Sequence, residues 1–242
     1  MPNCRSCGTR NIAEFKTVVD SFLNRRVSFS LCPGCGSMQH DTPEFKEESL
    51  RLADLYGGLG DHYSMFTMEL GQRIFRDMPL IRYTEPGTLL NIECNDGVLA
   101  LQWMSRGWRV VGTSVSEASR RRARERGIDC TDVPSGIRRK DFDGVMLETS
   151  YTHFNNPFSL FDEGVRRLAI GGFFLIHGID PSSPELLDED MIGEFVGYNN
   201  RTIPSPNRII GWMRDRGLRL VERYHVGGSF DMLFIKIGRS DC

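Results

Sequence analysis

Residues 88 to 117, TLLNIECNDGVLALQWMSRGWRVVGTSVSE, alternate element types in an order that few folds accept. Thr88 to Ile92 is a short apolar run of the kind buried in a parallel sheet, and Asn95-Asp96-Gly97 is turn chemistry. Val98, Leu99, Leu101, Trp103 and Met104 recur at helical spacing as far as Gly107, which can stop a helix. Arg109-Val110-Val111-Gly112 begins a second strand. A strand, a tight turn and a helix opening at that turn form half of a nucleotide-binding unit. A ligand would lie at the strand's carboxyl end, against the helix N-terminus.

The alternation continues downstream. Ala118 to Gly127 reads as a helix with five arginines, which suits either the solvated face of a sheet-flanking helix or an RNA contact. Strands follow at Ile128–Val133 and Phe142–Leu147, and a helix at Leu160–Leu168. Ala169-Ile170-Gly171-Gly172 reads as a turn into a fifth strand, Phe173–Ile176. Asp180 to Glu189 is acidic and contains proline, as in a loop or lid. A helix over Asn207–Arg216 precedes two closing strands, Leu218–Val226 and Met232–Ile237. The spacing predicts an α/β, Rossmann-like sheet of seven mostly parallel strands over 88–242, with the last strand antiparallel.

Ahead of the sheet the sequence predicts two other units. Residues 43–87 read as a helical linker or lid. Thr42-Pro43 is a helix start, and a second helix is expected over Ser64–Leu80. Tyr56, His62 and Tyr63 lie on the approach to it, as packing residues or as site residues. Residues 1–42 carry Cys4-Arg5-Ser6-Cys7-Gly8 and Cys32-Pro33-Gly34-Cys35-Gly36. Two residues between cysteines let both thiolates reach one tetrahedral ion, and the glycine permits the tight turn. A zinc ribbon held by Cys4, Cys7, Cys32 and Cys35 is expected, with redox pairs as the competing reading. Four thiolates close the site, so the zinc is structural and supplies folding energy to a unit too small for much core. Zinc ribbons also bind nucleic acid or protein, and Arg5, Arg10, Lys16, Arg25 and Arg26 offer some positive charge.

Composition narrows the class further. In 242 residues the net charge is −2, with 40% hydrophobic and 26% charged residues. That balance is ordinary for a globular protein and gives no overall attraction to nucleic acid or anionic membrane. No apolar run approaches the ~18–20 residues of a membrane helix, and MPNCRSCGTRN lacks a secretory core, so a cytoplasmic protein is expected. Seven cysteines without that signal favour thiols and a metal over disulfides.

The order of elements resembles class I S-adenosylmethionine-dependent methyltransferases. Asn91-Ile92-Glu93-Cys94-Asn95-Asp96-Gly97 is similar to the first motif of sugar C-methyltransferases, roughly E-I-G-S-N-D-G, and that family carries a similar cysteine-rich N-terminal segment. The chain departs from it at Asn91 and Ser114, where the family has acids, and at Glu93, where it has glycine. The resemblance implies methyl transfer from S-adenosylmethionine to a small molecule, such as a nucleotide-linked sugar. It implies a cofactor site at Glu93, Asn95, Asp96, Gly97 and Ser114, with Asp132 near the adenine amino group and Glu117 as a substitute for a ribose acid. Thr152-His153-Phe154-Asn155-Asn156-Pro157 resembles the family's E-H-V-x-D-P segment. This makes His153 a candidate base, or a histidine that braces the loop, with His177, Tyr63 and Tyr198 as further candidates. Tyr198 and Arg201 lie in a segment that would grip an anionic or sugar group. The departures leave room for a binding or regulatory protein on the same scaffold. A nucleic-acid methyltransferase with the ribbon as reader is a third class, and the near-neutral charge counts against it.

Overall fold

A computed structural model describes residues 3–20, 25–40, 60–132, 136–138, 140–187 and 200–238. The Thr42-Pro43 helix start, Tyr56 and Tyr198 lie outside the described residues. The ribbon contributes β1 (Glu14–Asp20), β2 (Arg25–Leu31) and β3 (Met38–His40). Helices α1 (Gly60–Asp77) and α2 (Pro79–Tyr83) lead to β4 (Thr88–Ile92), α3 (Val98–Met104) and β5 (Arg109–Thr113). Next come α4 (Glu117–Glu125), β6 (Asp129–Thr131), β7 (Phe142–Leu147), a 3-10 helix (Thr149–His153), α5 (Phe158–Arg167) and β8 (Leu168–Ile179). The chain closes with α6 (Pro184–Leu187), β9 (Thr202–Ile203), α7 (Pro206–Arg214), β10 (Leu218–Val226) and β11 (Ser229–Lys236).

Seven strands form one sheet in the order β10-β11-β8-β7-β4-β5-β6. The five from β6 to β8 run parallel, while β11 is antiparallel to both of its neighbours. Every residue of β4 is buried, as both covered faces require. On one face Phe158, Phe161 and Val165 of α5 pack with Ile209, Trp212 and Met213 of α7. On the other, Leu70, Ile74 and Phe75 of α1 meet Leu99, Ala100 and Trp103 of α3. Trp103 is fully buried, edge-on to Phe75 and Trp108 and stacked on Phe173.

The expected turn at Ala169–Gly172 is a correction. Strand β8 begins at Leu168, which pairs with Phe142, and the ladder resumes at Gly144 with Phe173 after a bulge. Gly171, at φ +82°, bends the strand without ending it.

The ribbon sheet has the order β1-β2-β3-β9, so its last strand comes from far along the chain. Met38 pairs with Ile203 and Gln39 with Thr202. Val18, Val27, Phe29 and Met38 share one core with Ile179, Leu186 and Ile203. The cysteine-bearing ribbon is thus packed against Ile179, Leu186 and Ile203. Among the described residues no helix is long and apolar enough to cross a membrane.

Candidate functional site

The carboxyl ends of β4, β5 and β7 converge on the loop that follows β4. Glu93 and Asn95 take positive φ (55° and 51°), and Gly97 takes +83° just before α3. A Cβ at Gly97 would stand 2.2 Å from Ile128 Cδ1, so the turn needs glycine both for its dihedral and for the close approach of β6. Asp96 accepts from Val98 N at 3.3 Å, and Arg126 grips it at 3.0 Å while donating to its carbonyl at 2.6 Å.

Two glutamates are buried at this mouth. The Glu93 N–H donates to Thr113 Oγ1 at 3.2 Å, its carbonyl accepts from Ser150 at 2.9 Å, and its carboxylate accepts from Val115 N at 3.2 Å. Burial raises its pKa from 4.5 to about 7, against the pull of Val115 N–H and Arg120. Glu148, the residue after β7, accepts from Asn91 Nδ2 at 3.1 Å, and burial with nearby Asp96 lifts it to about 8. Asn91 is wholly buried, and among the described residues its Oδ1 has no hydrogen-bond partner. Ser114 is buried too, its N–H bonded to Thr131 O at 3.0 Å and its carbonyl held by Arg120 at 2.7 Å. Asp132 is exposed beyond β6, and Glu117 opens α4, whose cap is Ser116.

Register extends the polar group across the sheet. Leu147 pairs with Ile176, so Glu148 and His177 are the next residues of their strands, and His177 in turn pairs with Asp231. His177 Nδ1 and Asp231 Oδ1 are 2.7 Å apart, and Arg73 of α1 donates to Asp231 Oδ2 at 2.7 Å. Glu148, His177 and Asp231 are all buried. Sequence reasoning found His177 but missed Glu148, Asp231 and Arg73. An acid directly after the apolar run of β7 was the one available signal for Glu148. Asp231 and Arg73 gave none, since their meeting depends on the sheet order.

His153 ends the 3-10 helix and is exposed. Crowding by neighbouring atoms would draw its pKa down to about 4. Its open area argues for a smaller shift, because water that reaches the ring solvates the cation. Tyr63 lies on α1 in a stretch whose side chains are not described. Beside His153, Thr152 is bonded to Asn200 at 2.5 Å, and Asn155 O accepts from Thr202 at 3.0 Å. Arg201 is buried there.

The four ribbon cysteines come together as expected, with all their Sγ atoms within 4.8 Å of one another. Cys4 and Cys35 are 3.7 Å apart and Cys7 and Cys32 3.6 Å. A tetrahedron with zinc–sulfur bonds of about 2.3 Å has edges of about 3.8 Å, so the donor set fits zinc. Gly8 N bonds Cys4 O and Gly36 N bonds Cys32 O, each at 2.8 Å, which closes both knuckles.

This is the class I methyltransferase fold with an N-terminal four-cysteine cluster. A family described as "methyltransferase domain" matches residues 90–176. Comparison with curated proteins gave no match. Among solved structures, an O-methyltransferase family protein from Burkholderia thailandensis is similar at 14% identity and TM-score 0.62, over 77% of this chain and 60% of that one. Magnesium protoporphyrin IX methyltransferase from Synechocystis, with bound SAH, shares 13% identity at TM-score 0.56, over 81% and 89%. Geranyl diphosphate C-methyltransferase from Streptomyces coelicolor shares 16% at TM-score 0.52, over 70% and 79%.

Proposed function

We propose that this chain transfers a methyl group from S-adenosylmethionine to a small molecule, with nucleotide-linked sugars as the acceptor class. The observation that carries the reading is the mouth of β4. There a left-handed glycine opens α3, and a buried Asn91 oxygen lacks a donor among the described residues. A ligand with an ammonium group would supply that donor. Glu93, Asn95, Asp96, Gly97 and Ser114 would hold the cofactor, with Asp132 at its outer edge.

When bound, the cofactor supplies an electrophilic methyl group on a sulfonium. The protein's part is to align the acceptor and take its proton. His177 is the base in this reading. Asp231 engages Nδ1, which assigns the proton to that nitrogen and leaves Nε2 as the basic atom. Arg73 donates to the other carboxylate oxygen of Asp231 and holds it in place. His153 and Arg201 are proposed as acceptor contacts. The cysteine cluster is proposed to hold one structural zinc ion.

Calorimetric titration with S-adenosylmethionine and S-adenosylhomocysteine tests the reading. Saturable binding of either is expected. The absence of both would overturn it.

A further inference from the structure

Five arginines stand between Ala118 and Gly127, on α4 and at its C-terminal cap. Arg121 is exposed and meets Glu125 one turn on, at 4.0 Å. Three others bend back onto backbone carbonyls. Arg120 Nη1 donates to Ser114 O at 2.7 Å and to Val115 O at 2.9 Å, in the loop after β5. Arg126 Nη1 donates to Asp96 O at 2.6 Å and meets the Asp96 carboxylate at 3.0 Å, in the turn after β4. Arg124 Nε donates to Cys130 O of β6 at 2.9 Å. One helix is thus tied to three neighbouring strands by charge-assisted hydrogen bonds, which are the strong and directional kind. Packing reinforces the ties. A Cβ at Gly97 would stand 3.4 Å from Ala123 Cβ, and Ala123 is fully buried, so α4 rests on the turn that Arg126 grips. The loop after β5 is held from its other side by Glu93, which accepts from Val115 N at 3.2 Å. Glu93 and Asn95 keep positive φ in this turn, a conformation that residues with side chains hold only where their surroundings enforce it.

Resting on the methyltransferase reading, which puts the cofactor on Asp96 and Ser114, we propose that Arg120 and Arg126 are positioning residues for it. They fasten the turn after β4 and the loop after β5 to one helix, so that the two form a single preformed seat. Neither arginine has to touch the ligand. A seat that is ordered beforehand spares the ligand the entropy of ordering it, and the gain appears as affinity. That gain is the same for the methyl donor and for its demethylated product, because both use the same two loops. Arginines committed to these carbonyls are also withdrawn from any nucleic-acid surface.

The test is calorimetry of the full chain with S-adenosylmethionine and S-adenosylhomocysteine, alongside amide hydrogen exchange. Arg120→Ala and Arg126→Ala should each weaken both ligands about five- to thirtyfold, by factors that agree to within about twofold. In each arginine one nitrogen makes both contacts, so an ammonium can replace it, and Arg120→Lys and Arg126→Lys should stay within about threefold of the parent. Arg121→Ala, on the exposed face of the same helix, should change neither affinity. Without ligand, the alanine variants should exchange faster at residues 93–97 and 113–116 while β7 and β8 stay protected. Four results would overturn the proposal and leave the cofactor reading intact: unchanged affinity in both alanine variants, an equal loss in Arg121→Ala, lysine variants no better than alanine, or donor and product weakened unequally. The last would make the charge of the arginines, and not the order they impose, the active property. One arm needs no variant. In the unaltered chain without ligand, residues 93–97 and 113–116 should already be protected, and exchange there at unfolded-chain rates would overturn the preformed seat. Failure of both ligands to bind the unaltered chain would overturn the cofactor reading itself, and this inference with it.

Discussion

Glu148 carries a cost that depends on pH. Below about pH 4.5 the carboxyl is protonated in the folded and unfolded chain alike. As pH rises through 4.5 the unfolded chain ionises first, and stability falls until the folded group ionises at about 8. Glu93 behaves in the same way up to about 7. Each shift corresponds to roughly 3–5 kcal/mol at full extent. Glu148→Gln keeps an acceptor for Asn91 and removes the charge. It should therefore melt higher than the parent at pH 8 and lose most of the decline between pH 5 and 8. Parallel melting curves for the two proteins would contradict the burial argument.

At the scale of elements, β5 is held between its neighbours by a glycine. A Cβ on Gly112 would stand 2.6 Å from Cys94 Sγ and 3.4 Å from Cys130 Sγ. The two sulfurs are themselves 3.7 Å apart, so the thiols close over the strand. Gly112→Ala should cost about 1–3 kcal/mol in denaturant unfolding. Cys94→Ala opens the space, so the double variant should be more stable than the two single losses predict. Additive losses would show that the clash is not the cause. Gly97 has no such remedy: its φ of +83° penalises any side chain in addition to the contact with Ile128.

Across the whole molecule, the cysteine knuckles are joined to β9 and the start of α7. Ser205 donates to Cys35 O, and its N–H bonds Ser37 Oγ at 3.1 Å. Arg208 donates to Ser6 O at 2.8 Å, and Arg5 to the carbonyls of His40 and Arg201 at 2.9 and 3.0 Å. Asn200 and Thr202 pass the connection to the loop that carries Thr152 and His153. A metal ion held by the four cysteines would therefore steady residues 200–208 and the loop at 149–155 as well as the ribbon itself. Stripping zinc with a chelator, or Cys35→Ser, should raise hydrogen exchange across residues 200–208 and 149–155 and leave β4, β7 and β8 protected. Exchange that rises in residues 3–40 alone would show that the two units are uncoupled.

Local patterns carried much of the architecture. Apolar runs of strand length, helical spacing from Val98 to Met104 and Asn95-Asp96-Gly97 sufficed for the α/β alternation, because each depends on a few adjacent residues. The two Cys-x-x-Cys pairs marked the four-cysteine cluster for the same reason: the spacing that brings two thiols together is local to each pair. Strand order, by contrast, is a long-range property. It alone brings Asp231 to His177, 54 residues away, and to Arg73, 158 residues away. It sets Glu148 against Asn91, and it donates β9 to the ribbon sheet. The sequence determined the strand–helix alternation and the knuckles, though not the glycine bulge inside β8. Only the tertiary structure decided which buried charges meet, because burial and partnership arise where distant strands become neighbours.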